Sequence, residues 1–463
     1  MELVENKREK LFGTDGIRGE PGVYPLTDGM VFKIGKSLAR LISYKKENNK
    51  RAQVIIGKDT RFSSGRLEKI LSDALNSYDI DVYLAGIITT PALSFLVREL
   101  KADMGLMISA SHNRPEDNGL KFFNQEGLKM SAEEEEWIED IVFRSLIHVS
   151  NGVDKKKTGR VLSLSDAQPR YLRFLKSTLQ QVSLKGFRVV LDCACGSGSV
   201  FGKKIFKKLG AKIVCINDSL SGESINCSGA VNPLQLQQKV LEEGADIGIG
   251  LDGDADRVVL VDEQGRILDG DDILAILAWY LSKEKKLAGN TVISTIMSNL
   301  GLRISLENNG IRLISTKVGT NYVLKGLFMH NLNLGGEQSG QIILMDYLPS
   351  PDGFLTALQV LKVMKKEGLS LSNLGLCITK FPQIVVNVEV KDKKPFEAIP
   401  SIQEAISKWK SILENRGRLL VRYSGTESLA RIMVEADDKS LITEIAEKLS
   451  SLIRREVGSS AVA

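Results

Sequence analysis

Three times along this 463-residue chain an apolar run that opens a strand leads, within about 45 to 65 residues, to a loop dense with polar side chains. The first pass starts at Gln53-Val54-Ile55-Ile56 and reaches Ser109-Ala110-Ser111-His112-Asn113. The second starts at Arg188-Val189-Val190-Leu191 and reaches Asp252-Gly253-Asp254-Ala255-Asp256-Arg257. The third starts at Thr291-Val292-Ile293 and reaches Gly335-Gly336-Glu337-Gln338-Ser339-Gly340. Such spacing holds β-α-β-α-β, which predicts three similar mixed α/β domains. A candidate nucleophile, a carboxylate cluster and a polar recognition loop at corresponding ends of the units point to one enzyme site in a central cleft.

The intervening pattern agrees. In the first unit, amphipathic segments at 38–42 and 67–75 flank the strand at Val54, and strand 82–84 is followed by helix 92–100 and strand 105–108. An acidic helix is expected over 131–147, opened by a capping box of Ser131 and Glu134, with polar residues 151–160 as a linker. Past Cys377 the order changes to strand 384–390, helix 395–412, strands 419–423 and 430–435, and helix 439–453. Strands followed by helices indicate a smaller α+β C-terminal domain. The expected domains are 1–155, 156–266, 267–373 and 374–463.

Charge and cysteine usage exclude several classes. The net charge of +5 is spread along the chain, and the basic clusters at 155–157 and 283–286 lack interleaved aromatics. They read as solvated faces, so nucleic-acid binding is not expected. Cys193, Cys195, Cys215, Cys227 and Cys377 form no C-x-x-C pair, which points to reduced thiols and a cytoplasmic protein. The longest apolar stretch, 273–281, is far short of the roughly 20 residues of a membrane span.

One motif misleads. Gly196-Ser197-Gly198-Ser199-Val200-Phe201-Gly202 follows a strand and has Asp218 beyond it, like a dinucleotide fingerprint. Its third glycine comes one position late, and Gly202-Lys203-Lys204 lacks the hydroxyl of a phosphate-binding loop. A tight βα turn explains these glycines without a cofactor.

The chemistry concentrates elsewhere. Three carboxylates at alternate positions, Asp252, Asp254 and Asp256, repel one another unless a cation neutralises them. Their hard oxygens suit Mg²⁺ or Ca²⁺. A calcium EF-hand fits poorly, because Arg257 stands where that loop needs glycine and a strand, 247–251, precedes the cluster. A solvated acidic turn is the plain alternative. Ser111 is followed at once by His112, which is badly placed to take its proton, and no G-x-S-x-G elbow surrounds it. A phosphoserine beside a hard cation suits these residues better than a hydrolytic triad. Arg422-Tyr423-Ser424-Gly425-Thr426-Glu427, with Arg431 beyond, reads as an anion cradle or as a polar hairpin. Phe12-Gly13-Thr14-Asp15-Gly16-Ile17-Arg18-Gly19 also suits phosphate contact.

Together these motifs resemble the α-D-phosphohexomutase superfamily from Leu11 to about Glu435, five motifs in the family's order. Gln338 within Gly336 to Gly340 favours the glucosamine branch of that superfamily. The resemblance implies an isomerase that interconverts glucosamine 6-phosphate and glucosamine 1-phosphate by intramolecular phosphoryl transfer, through phosphorylated Ser111 and a sugar bisphosphate. It implies Mg²⁺ held by Ser111, Asp252, Asp254 and Asp256. Glu337 and Ser339 would hold sugar hydroxyls, and Arg422, Ser424, Gly425, Thr426 and Arg431 the phosphate that is not reacting. Lys121, Arg257 and Arg18 would handle protons and charge. The C-terminal domain would act as a lid hinged near 375–382, and a homodimer is left open.

Three positions depart from the family pattern. Arg114 separates Asn113 from Pro115, Gln341 replaces a common histidine, and Val318-Gly319-Thr320-Asn321-Tyr322 lacks a charged pair. Mannose or glucose phosphates as substrates, and an impaired phosphosugar-binding homologue, are the competing expectations.

Overall fold

The computed structural model describes residues 10–46, 51–143, 158–414, 416–424 and 428–458. One compact unit extends to Ile296 and includes Ile311–Leu376; a second comprises Met297–Gly310 and the chain from Cys377 onward.

Three sheets build the first unit. One holds β1 (Ile17–Gly19), β2 (Gln53–Lys58), β3 (Asp81–Ile87), β4 (Met104–Ile108), β5 (Asn118–Phe123) and β6 (Val161–Ser163), in the order β1-β5-β4-β2-β3-β6. The next holds β7 (Arg188–Asp192), β8 (Lys212–Ile216), β9 (Ile247–Leu251), β10 (Val258–Asp262) and β11 (Ile267–Leu268), in the order β11-β10-β9-β7-β8. The third holds β12 (Thr291–Thr295), β13 (Arg312–Thr316), β14 (Leu334–Gly336) and β15 (Ile342–Leu344), in the order β13-β12-β14-β15. In each, three parallel strands are followed by a strand that turns back antiparallel: β5 on β4, β10 on β9, β15 on β14. The three polar loops are the connections of these antiparallel pairs, so the topology itself sets them at equivalent ends.

Local chemistry explains the elements. β9, Ile247-Gly248-Ile249-Gly250-Leu251, is wholly buried. A Cβ at Gly248 would come within 2.5 Å of Val240, so glycine lets the helix Leu234–Glu243 lie flat on the strand. Thr89 caps the helix Thr90–Leu100 by accepting from the Ala92 N–H, with Pro91 in its first turn. The expected capping box forms: Glu134 accepts from Ser131 N at 2.8 Å and Ser131 Oγ accepts from Glu134 N at 3.3 Å. Its helix runs over Ala132–Phe143; the expected continuation and most of the linker lie outside the described residues.

The sheets are tied together by aromatic packing. Phe95 stacks on Phe174 at 4.5 Å, Tyr171 meets Phe201 edge-on at 5.0 Å, and Phe201 meets Phe354 at 6.3 Å. The Tyr171 hydroxyl donates to Asp352 Oδ2 at 2.8 Å, while Asp352 also caps the helix Gly353–Glu367. Burial pushes the Asp352 carboxyl up to about 6. Folded protein therefore binds more protons here than unfolded chain between the ordinary value of 3.8 and about 6. Stability from this group is full below that window and falls as pH rises through it, by about 3 kcal/mol. Asp352→Asn keeps the cap and removes the charge. Urea unfolding from pH 4 to 7 should show the variant gaining on the parent by most of that amount; parallel curves would refute the assignment.

The second unit is a three-stranded antiparallel sheet of β16 (Gln383–Glu389), β17 (Gly417–Tyr423) and β18 (Leu429–Ala436), ordered β16-β18-β17, with helices Pro400–Leu413 and Lys439–Val457. Its core gathers Val388, Ile402, Ile432, Val434, Ile445 and Leu449. The helix expected from 395 begins at Pro400 instead, after a short turn at Phe396–Ala398. Proline has no N–H to donate and so favours a first turn over an interior. The helix Leu300–Asn308 belongs to this unit, its Leu300 N–H donating to Glu435 at 2.9 Å. The architecture is thus three α/β domains and a smaller C-terminal domain, as expected.

Candidate active site

Ser111 leaves β4 with φ of +51°, a left-handed conformation uncommon for a side-chain-bearing residue. Its side chain is fully buried, and Oγ donates to Asp252 Oδ2 at 2.8 Å and lies 3.4 Å from Asp256 Oδ1. Asp252, Asp254 and Asp256 are all buried, and one oxygen from each falls within 4.8 Å of the others. Ala255, at φ +56°, curls the backbone between them. The serine and the acidic triplet, 141 residues apart in sequence, therefore form one cluster.

Electrostatics show what the cluster can hold. Burial, then the charges of Asp256 and Asp254, push the Asp252 carboxyl well above the usual range. Asp254 Oδ1 is buried with no hydrogen-bond partner among the described residues. Burial also works against ionised Asp254, but Lys121 and the Thr90 hydroxyl hold it below its ordinary value. An all-oxygen donor set with an orphaned carboxylate oxygen and mutual repulsion fits a hard divalent cation.

Cations surround the triplet. Lys121, on β5, is buried and reaches Asp254 at 2.7 Å and Asp256 and Asp15 at 3.2 Å each. Burial disfavours its charge, yet Asp15, Asp254 and Asp256 hold it firmly protonated. Arg18, on β1, donates to Asn113 Oδ1 at 2.8 Å and to Asp15 at 2.5 Å. Arg257 stands 3.9 Å from both Asp252 and Asp256. These three arginine and lysine side chains, selected from sequence, meet at one place.

The third loop docks beside them. Gly340 O accepts from Val258 N, the first residue after Arg257, at 3.1 Å. A Cβ at Gly270 would lie 2.0 Å from Glu337 O, so glycine there is what allows the turn to close. Glu337 is buried and accepts from Gly319 N at 2.9 Å; burial raises its carboxyl. Ser339 is exposed on the same turn. Gln341 is buried, and Arg114 is exposed on a loop closed by Asp117 N donating to Arg114 O at 3.2 Å. The inserted arginine thus leaves the serine loop compact.

The glycines of the misleading motif have a structural purpose. A Cβ at Gly196 would come 2.3 Å from Gly253 O, and Ser197 N donates to that same oxygen at 2.8 Å. The turn after β7 is the seat of the acidic loop.

In the second unit, Arg422 and Arg431 face each other across β17 and β18 and line a cavity of about 190 Å³ with Asn387, Leu420 and Met433. Burial, then Arg431, lowers the affinity of Arg422 for its proton. Ser424 is buried, its carbonyl accepting from Lys393 at 2.8 Å. Two like charges opposed in a cavity favour an anion. Gly425 and Thr426 lie outside the described residues.

Sequence reasoning missed Asp15, which ties Lys121, Lys129 and Arg18 together, and Thr90, which donates to Asp254. It also missed Asn226, whose Oδ1 accepts from Gly253 N at 2.8 Å while Nδ2 donates to Ser111 O at 2.7 Å and Asn113 O at 2.9 Å. Asp15 had a signal, its place three residues before Arg18; Asn226 had none.

Known proteins share this layout. Residues 9–146, 169–265 and 269–381 match alpha/beta/alpha domains I, II and III of the phosphoglucomutase/phosphomannomutase family, and 385–452 match its C-terminal domain. A phosphoglucosamine mutase of Syntrophotalea carbinolica is 40% identical over 453 residues, covering 97% of this chain and 98% of that one. Among solved structures, a phosphoglucomutase/phosphomannomutase family protein of Burkholderia thailandensis superposes with a TM-score of 0.77 at 20% identity, over 97% of this chain and 99% of that one. N-acetylphosphoglucosamine mutase of Aspergillus fumigatus, solved in complex with GlcNAc-6P and magnesium, does so with 0.67 at 18%, over 96% and 95%.

Proposed function

Given that this chain belongs to the α-D-phosphohexomutase superfamily and is an intramolecular phosphotransferase, we propose that it interconverts glucosamine 6-phosphate and glucosamine 1-phosphate through phosphorylated Ser111 and a sugar bisphosphate. The observation that carries this reading is the 2.8 Å approach of Ser111 Oγ to Asp252 inside a buried triplet of carboxylates.

Asp252, Asp254, Asp256 and an oxygen of the phosphorylated serine would hold Mg²⁺, which when bound neutralises the carboxylates and draws charge from the phosphoryl oxygens. In the forward step the P–O bond to Ser111 Oγ breaks and a P–O bond to a free sugar hydroxyl forms, the hydroxyl's proton passing to the protein. The resulting bisphosphate returns its other phosphoryl group to Ser111. Lys121, held firmly protonated, and the guanidiniums of Arg257 and Arg18 stabilise charge on the transferring group, while the hydroxyl's proton ends on the Ser111 oxygen that leaves. Glu337 and Ser339 hold sugar hydroxyls; Glu337 is braced by the Gly319 N–H. Arg422, Ser424, Gly425, Thr426 and Arg431 grip the other phosphate. Burial around Ser111 keeps water from taking the phosphoryl group.

We further propose a cytoplasmic location and domain limits at 1–155, 156–266, 267–373 and 374–463; among the described residues no helix is long and apolar enough to cross a membrane. Parallel assays with glucosamine, mannose and glucose 6-phosphates, primed with a hexose bisphosphate, test the function. kcat/KM should favour glucosamine 6-phosphate by about 10-fold or more. Preference for mannose or glucose phosphate would move the chain to the other branch, and binding without turnover of any sugar would overturn the proposal.

A further inference from the structure

The turn after β2 carries an arginine that the chemistry above does not use. Arg61 is buried, and its guanidinium spends all five of its N–H groups. Nε donates to Asp59 Oδ2 at 3.0 Å. Nη1 donates to the carbonyls of Arg114 and, at 2.8 Å, Asp117. Nη2 donates to the carbonyls of Ser111 at 3.0 Å and Asn113 at 2.9 Å. Four carbonyls of the serine loop thus converge on one cation.

Its anchor is rigid. Asp59 accepts from Arg61 N and Ser64 Oγ, and its own N–H donates to Ile108 O, on the strand that delivers Ser111. Asn118, at the start of β5, donates to Ser63 and Ser64. Both ends of the serine loop are therefore tied to the turn that carries Arg61. Within the loop, Ser111 holds its left-handed backbone, a conformation that persists where surroundings over-determine it.

We propose that Arg61 is a positioning residue for phosphoryl transfer, its guanidinium locking the Ser111 loop in the conformation that aims Oγ at the aspartate triplet. The role rests on reading Ser111 as the phosphorylated residue. Lysine is no substitute, because a single ammonium cannot span four carbonyls and a carboxylate. Sugar-binding groups lie on other loops, so a loosened serine loop slows the chemical step while leaving substrate binding largely intact.

The test is Arg61→Lys, measured as kcat, KM and thermal midpoint beside the parent. We expect kcat to fall by about 100-fold with KM within about threefold, the scale of a small misplacement of a reacting atom. Arg61→Gly should recover part of its kcat in methylguanidinium and none in methylammonium. Should unpaired Asp59 prevent folding, Asp59→Asn with Arg61→Met removes both charges together and should show the same loss. Parent-like kcat in Arg61→Lys or in the double variant overturns the proposal. So does a loss in which kcat and thermal midpoint fall and KM rises together without methylguanidinium rescue. A parent that takes up no phosphate on Ser111 sinks the mutase reading itself, and that failure shows before any variant is made.

Discussion

Replacing Ser111 by alanine is expected to abolish phosphate uptake from a hexose bisphosphate and to lower turnover by about 10⁴-fold or more. The size follows from the serine's place in the reaction: every cycle must load and unload its oxygen. Ser109 donates nothing to the triplet; its Oγ accepts from Ser111 N at 2.9 Å. Stability should fall by only about 1–3 kcal/mol, the scale of one buried hydroxyl donor lost to Asp252 and Asp256. Intact-mass measurement after incubation with the bisphosphate should find one added phosphate on the parent and none on the variant. Phosphate on the variant would place the acceptor elsewhere and end the proposed mechanism.

Asp254→Asn should cost about 10³-fold in turnover. This carboxylate serves two masters: Oδ2 receives Thr90 and Lys121, and Oδ1 is buried with no partner among the described residues. An amide would direct a donor either at Lys121 or at the incoming cation. The parent should gain about 2.7 kcal/mol of unfolding free energy at a Mg²⁺ concentration 100 times its dissociation constant. In the variant most of that gain should vanish. An unchanged Mg²⁺-induced rise in thermal midpoint would show that the ion binds somewhere other than the triplet.

How much of this was legible before folding depends on the range over which each residue acts. The strands β7 and β9 are continuous apolar runs, and the acidic loop announces itself by alternating carboxylates. By contrast, β5 went unrecognised because Asn118-Gly119-Leu120-Lys121-Phe122-Phe123 carries buried polar groups in its middle and shows no clean alternation. Lys121 was singled out by resemblance, while its burial beside three carboxylates follows from that unseen strand. Arg61, Thr90 and Asn226 were invisible for a related reason. Each has a partner 50 to 164 residues away, and a single hydrogen bond at such separation leaves no periodicity to read. The turn glycines were legible as glycines, but their need to admit Gly253 or Glu337 backbone required coordinates.

The helix Leu300–Asn308 carries a practical lesson about modularity. The chain leaves the larger unit after Ile296, contributes this helix to the smaller one, and goes back at Ile311 before departing again at Cys377. A fragment starting at 377 would be missing the N–H of Leu300 and the Ser298 carbonyl, leaving buried Glu435 and half-buried Arg418 each with one partner fewer. The last ninety or so residues are consequently no freestanding cassette for swapping between homologues. Any chimaera that exchanges them must carry the interior stretch 297–310 along, and a protease that nicks once at 376 would leave the two pieces still joined.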